Sequence, residues 1–456
     1  MKAAQSFGQY LALWVDNEAL RQGVPEPLAT LNSAGAEALP ALIEAYRAPK
    51  DVPRACAADE LFAPDYGVNL AHHDMHASVA EAFHCGVPNL NSHLVVVAND
   101  VVHVSAPLRD EAPAGLKVYS LRSLPSEYVG RAGELLALHS ADNVAVAMNS
   151  LLLGDGIYIR VEPGVTVERP VQIVNIFHSD MPMLSSRRVV VDAGEGASLR
   201  VLLCDHSQGA GVQHLNNQVV QVHAAPHASV DLYDIEESSA DTHRLNQLFT
   251  HQEHDSRVVV SPTFLHGGVT ANHYGLNLTG DHAEAEVTGL AICADKQQVA
   301  NNVVLRHDCE HSTSRQLFKY ALYDEARGSF GGKVVVEHGA RFTDASQTNR
   351  NILVSEKARM DASPQLEIYC DEVKASHGAT TGQLDERALF YMQARGIPAD
   401  EAERMLTQAF MADVVDNIGY EVLRQRMHVL VEKRLAGASA SCETCASADC
   451  SKYTRQ

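Results

Sequence analysis

The chain has 456 residues, 46% of them hydrophobic and 20% charged, and its 57 acidic and 36 basic side chains give a formal charge of −21. That length exceeds one compact core and predicts two or three structural units of ordinary soluble composition. The acidic balance argues against nucleic acid or an anionic membrane surface as partners held by bulk charge, and no apolar run is long enough to span a bilayer or to form the core of a secretory signal. Nine cysteines scattered through the chain predict free thiols in a reducing cytoplasm.

Residues 1–140 read as a mixed, mainly helical region. Helical periodicity marks AEALPALIEAYRA (36–48), HHDMHASVAEAF (72–83) and SEYVGRAGELLALHS (126–140). HLVVVANDVVHVSAP (93–107) reads as a strand pair turning at 98–100. From 141 to 377 short β-rich runs follow one another, among them GIYIRV (156–161), PVQIVNI (170–176), RRVVVDA (187–193), SLRVLLC (198–204), QVVQVH (218–223) and RVVVSPTFL (257–265). No convincing long helical pattern lies between them. Small alanines at 197, 228, 283, 340 and 358 precede alternating side chains, with gaps of 31, 55, 57 and 18 residues. A sandwich, a barrel or a parallel β-helix would accommodate such runs, and short strands with one turn per coil favour the β-helix.

After Gly378 the pattern becomes helical to residue 437. QLDERALFYMQARG (383–396) has Asp385 as N-cap and Gly396 as its stop. PADEAERMLTQAFMADVVDNI (398–418) opens on Pro and acidic residues, and YEVLRQRMHVLVEKRLAG (420–437) ends on basic ones. Residues 438–456 form a small, polar, cysteine-containing tail that reads as flexible.

Familiar catalytic signatures are absent: no G-x-x-x-x-G-K-[ST] loop, no G-x-S-x-G elbow and no H-E-x-x-H helix. Four groups of residues could carry metal or sulfur chemistry. His72 and His76 would share a helical face, although an exposed polar helix accounts for them as well. His307, Cys309 and His311 would share one face of a strand and could hold zinc or iron, unless they lie in a partly buried turn. Cys442, Cys445 and Cys450 make a C-x2-C-x4-C pattern able to chelate a soft metal or cluster, with no fourth ligand evident. In CDEVKASHGAT (370–380), a bend across Asp371–Glu372 would bring Cys370, Ala375 and His377 near one another. A lone histidine there also fits a structural role.

The segment 270–435 resembles the SufB/SufD family of iron–sulfur cluster assembly proteins. The resemblance rests on GDHAEAEVTGL (280–290), RGSFGGKVVV (327–336), TDASQTNRNILVS (343–355), PQLEIY (364–369) and DEVKASHGATTGQLDERALFYMQARGI (371–397), with LLLGDGIYIRVEPGVTVERPVQIVNI (151–176) extending it upstream. Gly378 after His377 places it with the SufD branch, where SufB-type chains carry His-Glu. The resemblance implies a mainly β fold, a right-handed parallel β-helix flanked by N-terminal and C-terminal helical domains. It implies a non-catalytic scaffold that pairs with a SufB-like chain, or with a second copy of itself, and binds a SufC-like ABC-type ATPase through the C-terminal helical domain. Gln383, Asp385, Phe390, Tyr391, Arg395 and Gly396 are then the ATPase-docking candidates, and no nucleotide is bound by this chain. His377 would lie near the partner interface where a transient iron–sulfur cluster or iron is held. The family's cysteine two residues earlier is Ala375 here, which leaves His377 with Cys370 as a substitute. A β-helix enzyme acting on a carbohydrate or acidic substrate is the alternative reading, and no clear acid pair supports it.

Overall fold

The computed structural model describes residues 2–69, 91–105, 108, 112–207 and 211–437. The helix expected at 72–83, with His72 and His76, and the tail thiols Cys442, Cys445 and Cys450 lie outside the described residues.

The short β-rich runs form a parallel β-solenoid. Among the described residues, Ile157–Gly382 holds sixteen strands that fall alternately into two sheets. Each strand away from the ends therefore pairs in parallel with the strands two before and two after it, as Gln298–His307 does with Val269–Leu278 and Arg327–Val336. Inward side chains such as Val201, Val230, Val258 and Val287 stack coil upon coil in one apolar core. The period-2 alternation explains why: every second residue faces the partner sheet and is removed from water.

At one edge of the solenoid, most coils turn through a residue in the left-handed region: Gly196 (φ 65°), His227 (60°), Asp255 (54°), His282 (61°), His311 (57°) and Phe342 (60°). These turns stack, since His227 N–H donates to His254 O at 3.0 Å and His282 N–H to Glu310 O at 3.1 Å. A small buried side chain follows each: Ala197, Ala228, Ser256, Ala283, Ser312 and Thr343. The coil period is thus 27–31 residues. Serine and threonine fill the places that an alanine-only repeat skips, and Ala340 and Ala358 lie elsewhere in the coil.

The N-terminal residues form helices but also feed the solenoid. Helices Lys2–Asp16 and Leu28–Ala45 pack with Ala58–Leu61 against the solenoid, and Ser126–Leu138 forms where the sequence placed it. The hairpin expected at 93–107 pairs His93–Ala98 with Val101–Val104, and its first strand joins Val171–Phe177 in parallel. Leu116–Ser120 closes the other sheet by antiparallel pairing with Ile157–Val161. Val144–Leu152 is a helix, although the sequence reading began the β region at 141. All nine of its residues are buried, so it shows no polar face by which its period could be recognised. Asn143 caps it, accepting from Ala145 N–H at 2.9 Å and Val146 N–H at 3.1 Å.

The C-terminal region has three helices, Glu386–Gln393, Ala399–Asp416 and Glu421–Leu435. The last two lay Met411, Val414, Val415, Leu423, Met427 and Val431 on an outward apolar strip of one sheet, formed by Leu202, Tyr233, Ile235, Leu290 and Ile292. Each such buried side chain contributes about 1.5–3 kcal/mol. No helix among the described residues is long and apolar enough to cross a membrane.

One buried ion cluster ties helix Ser126–Leu138 to the solenoid. The fully buried Asp192 accepts from Arg131 Nε (3.2 Å) and Nη2 (3.1 Å), Arg160 Nη1 (2.9 Å) and the Tyr158 hydroxyl (3.0 Å). Burial alone would raise its carboxyl, but hydrogen bonds from His223 and Arg131 and the charge of Arg160 hold it far below the usual carboxylate range. Its folded-state pKa being depressed, its stabilisation is present above the unfolded value of about 3.9 and is lost as pH falls below it. Asp192→Asn is expected to cost roughly 3 kcal/mol at pH 7, at the low end for a broken buried pair because Arg131 is partly solvated. Chemical denaturation at pH 7 and pH 3 checks this: the gap between wild type and variant narrows at the lower pH.

Candidate functional site

The solenoid ends on two strands that are paired on one side only. Arg359–Ile368 pairs with Arg327–Val336, and Lys374–Gly382 pairs with Asp344–Leu353; each is last in its sheet. Half the residues of the first strand and eight of the nine of the second are exposed, and none is buried. The turn between them holds Cys370. Leu366, Cys370, Val373 and Ala375 all pack against the apolar core, so the inward face changes parity across Asp371–Glu372, as the alternation required.

His377 is on the inward row of this last strand. The in-register pairs Ala345–Ala375, Gln347–His377 and Asn349–Ala379 set it one rung beyond the buried Gln347. Gln347 Nε2 donates to Gln316 Oε1 at 3.1 Å, while Gln347 Oε1 is buried without a hydrogen-bond partner among the described residues. Gly332 on the facing strand makes room for this amide, because a Cβ there would overlap Gln347 Nε2. With no coil above it, His377 is exposed where its counterparts are buried.

The thiols differ sharply in access. Cys56, Cys204, Cys293 and Cys309 are buried, and Cys370 is half-buried. Burial pushes the Cys293 thiol up to about 12 and Cys309 to about 11, which keeps both protonated and inert.

The strand-face arrangement expected for His307, Cys309 and His311 does not form. The strand stops at His307, and the alternation stops with it. His307 is buried, with Nδ1 2.7 Å from Ser312 Oγ and Nε2 2.9 Å from Ser314 Oγ, and burial pulls it down to about 4. Cys309 turns into the core and its Sγ contacts Leu278 O at 3.3 Å. His311 occupies the left-handed turn position and stacks between His282 (4.9 Å) and Phe342 (4.7 Å).

The first C-terminal helix begins and ends as its sequence predicts. Asp385 accepts from Arg387 N–H at 2.9 Å, and Gly396 has φ 91°. No residue of Glu386–Gln393 is buried. Phe390 is 73% exposed and Tyr391 58%, Arg395 lies over the Tyr391 ring at 4.5 Å, and Met405 is exposed on the next helix. Gln383 is exposed as well. The neighbouring helix is instead clamped down: Lys319 Nζ donates to Phe410 O at 2.6 Å and pairs with Asp413.

The sequence reading missed a polar layer inside the solenoid. Inward rows that start apolar end in charge, as in Val230, Leu232, Asp234 and Glu236. Arg244 Nη2 contacts Asp234 at 2.6 and 2.8 Å, and Arg244 Nε lies 3.3 Å from Asp205. The Thr270 hydroxyl donates to Glu236, 2.9 Å from either carboxylate oxygen, and burial pushes that carboxyl up to about 8 despite Arg244. Polar residues at inward parity in LLCDHS and LYDIEE were the available signal.

Two family models cover most of the chain. The SufBD protein N-terminal region matches residues 8–173, and the SufBD core domain of SUF system FeS cluster assembly matches residues 176–410. The chain belongs to the SufBD family. It is similar to the iron–sulfur cluster assembly protein SufD of Escherichia coli, 35% identical over 180 residues, which are 39% of this chain and 43% of that protein. It is also similar to the SufD of Bacillus subtilis, 28% identical over 290 residues, 63% of this chain and 66% of that protein. A chloroplastic protein of Arabidopsis thaliana is 25% identical over 328 residues, 70% of this chain and 69% of that protein. The chain thus spans less than two thirds of the length of either SufD relative. The SufBD core match takes in both terminal strands, Cys370, His377 and the exposed helix Glu386–Gln393.

Burial makes a direct prediction about the thiols of this SufBD chain. Brief treatment of native protein with iodoacetamide, read by peptide mass mapping, is expected to modify Cys370 at least about tenfold faster than Cys56, Cys204, Cys293 or Cys309. Equal labelling would show that the end of the solenoid is not the accessible thiol position.

Proposed function

We propose that this chain is a SufD-like scaffold subunit of the SUF machinery that supports iron–sulfur cluster assembly at an interface with another chain. The observation that carries the reading is the open end of the solenoid. Two long strands expose unpaired backbone donors and acceptors there, which an ordinary soluble chain would blunt or cover. A SufB-like chain ending in a similar edge would satisfy them by strand addition. His377 sits on that end with its imidazole free to meet a partner's groups, and Cys370 lies at the turn beside it. Among the described residues neither belongs to a cluster of three or more potential metal ligands, so iron or a nascent cluster, as substrate, would be held jointly with the partner. The paired complex is the reading favoured here; a second copy of this chain would meet the same edge chemistry.

ATP hydrolysis is assigned to a SufC-like ABC-type ATPase, since this chain carries no P-loop. Phe390, Tyr391 and Arg395 supply the type of aromatic and arginine anchors on which interfaces depend. Movement of the ATPase against this helix would be passed through the two clamped helices to the solenoid and would alter access to the open end. The thiols of Cys56, Cys293, Cys309 and Cys370 suit a reducing compartment such as the cytoplasm.

Anaerobic co-expression with SufB-like and SufC-like chains tests this. Phe390→Asp with Tyr391→Asp is expected to weaken ATPase retention roughly 30-fold or more, as loss of a hot spot does. Ile368→Lys with Tyr369→Lys should release the SufB-like chain and leave the ATPase bound. His377→Ala should leave the complex intact and lower its iron and sulfide content. A chain that stays alone in the presence of both partners, or a His377→Ala complex with full iron content, would sink the respective part of the proposal.

A further inference from the structure

The ladder of left-handed turns holds a cluster that the reading above does not use. His227 lies in one turn, and His254 and Asp255 lie in the turn of the next coil. One donor atom from each residue falls within 4.8 Å of the others, and all three side chains are exposed. Both imidazoles direct Nδ1 at the same carboxylate oxygen: His254 Nδ1 is 3.0 Å from Asp255 Oδ2 and His227 Nδ1 is 3.7 Å from it. The rings stand 4.9 Å apart and almost perpendicular, at 89°.

We propose that His227, His254 and Asp255 form a surface site for a divalent transition-metal ion of the zinc class. Two imidazole nitrogens and one carboxylate oxygen are the donor set of open zinc sites, in which water fills the remaining position. Tetrahedral bonds of about 2.0–2.2 Å bring donors to roughly 3.3–3.5 Å of one another, so the separations here close on an ion with small side-chain rotations. Protons alone serve the cluster poorly. One hydrogen bond satisfies His254, whereas the 3.7 Å from His227 is too long for a second. An ion among the three donors would satisfy all of them.

The backbone holds this arrangement in place. His227 and Asp255 have φ of 60° and 54°, and His227 N–H donates to His254 O at 3.0 Å, which locks the two turns together. Asp255 N–H donates onward to Asp281 O at 2.9 Å. Arg257, two residues along, is engaged with Asp231 at 3.0 Å and does not neutralise Asp255.

The test uses the full chain with Cys442, Cys445 and Cys450 changed to Ser, so that the tail thiols do not compete. Zinc is titrated calorimetrically and cobalt by visible absorption. One saturable equivalent is expected, its cobalt spectrum lacking thiolate charge-transfer bands. His227→Asn and Asp255→Asn should each weaken binding roughly tenfold or more. Asparagine is chosen because it tolerates left-handed φ, so metal-free melting should stay that of the parent. His254→Gln, at a position without that backbone demand, should behave alike. Absence of a saturable equivalent, or full affinity retained in any of the three variants, overturns the assignment.

Discussion

The structure depends on the backbone ladder of the parallel solenoid. Each coil's N–H and C=O groups are satisfied by the coil on either side, and the ladder has two ends where that supply stops. The N-terminal end is blunted by short last strands of four and five residues. Val101–Val104 and Leu116–Ser120 turn antiparallel and finish the two sheets. The opposite end has no such device: Arg359–Ile368 and Lys374–Gly382 are full-length strands with one side unpaired. An end left open on strands of ten and nine residues is a binding surface or an aggregation hazard.

Fixed coils make the rest of the molecule a matter of what covers each face. The outward apolar strip of one sheet is covered by Ala399–Asp416 and Glu421–Leu435, whose position is pinned by Lys319 on Phe410 O and by Arg434 on Ile292 O at 3.3 Å. The other sheet receives Val144–Leu152 and Ser126–Leu138, held by Asn143 and by the Arg131–Asp192 pair. These polar clamps are partly or wholly buried, and removal of one partner would leave a charge stranded; they therefore fix orientation as much as they add stability. Helix Glu386–Gln393 lacks any clamp of this type among the described residues, and its aromatics point to solvent. The division between clamped and unclamped helices leaves one part of the C-terminal region anchored and another with its aromatics exposed.

Much of this was legible in the sequence, and what was not has physical reasons. The caps at Asp385, Pro398 and Gly396 act through local backbone chemistry, so the C-terminal helices were found within two or three residues at most ends. Strand alternation gave the solenoid and the change of face at Asp371–Glu372. It failed at RHDCEHS, where a strand ending at His307 sends three alternating residues to three environments. The alanine repeat skipped coils because Ser256, Ser312 and Thr343 fit the same buried corner. Helix Val144–Leu152 was hidden by its complete burial. The charged interior around Arg244 and Asp234 was hidden for another reason: pairing across coils is a long-range fact, and each residue alone resembles a solvent-facing one. His377 and Cys370 were visible as residues, while their exposure follows from being on the last rung.

That last rung is why the proposed chemistry would be divided between chains. A group inside a coil, such as Gln316, is enclosed by the coil beyond it. His377 occupies the same inward row and would be enclosed in the same way if one more coil followed. Another coil from this chain would bury it permanently, as His307 is buried between Ser312 and Ser314, and would close it to ions. A coil edge supplied by a partner encloses it only while the two chains remain together. The environment of the imidazole then becomes a property of the interface, changed by whatever moves the two solenoids relative to one another. Ala375 on the same row brings no thiolate of its own, so under the proposed function the softer ligands for iron would come from Cys370 or from across that interface.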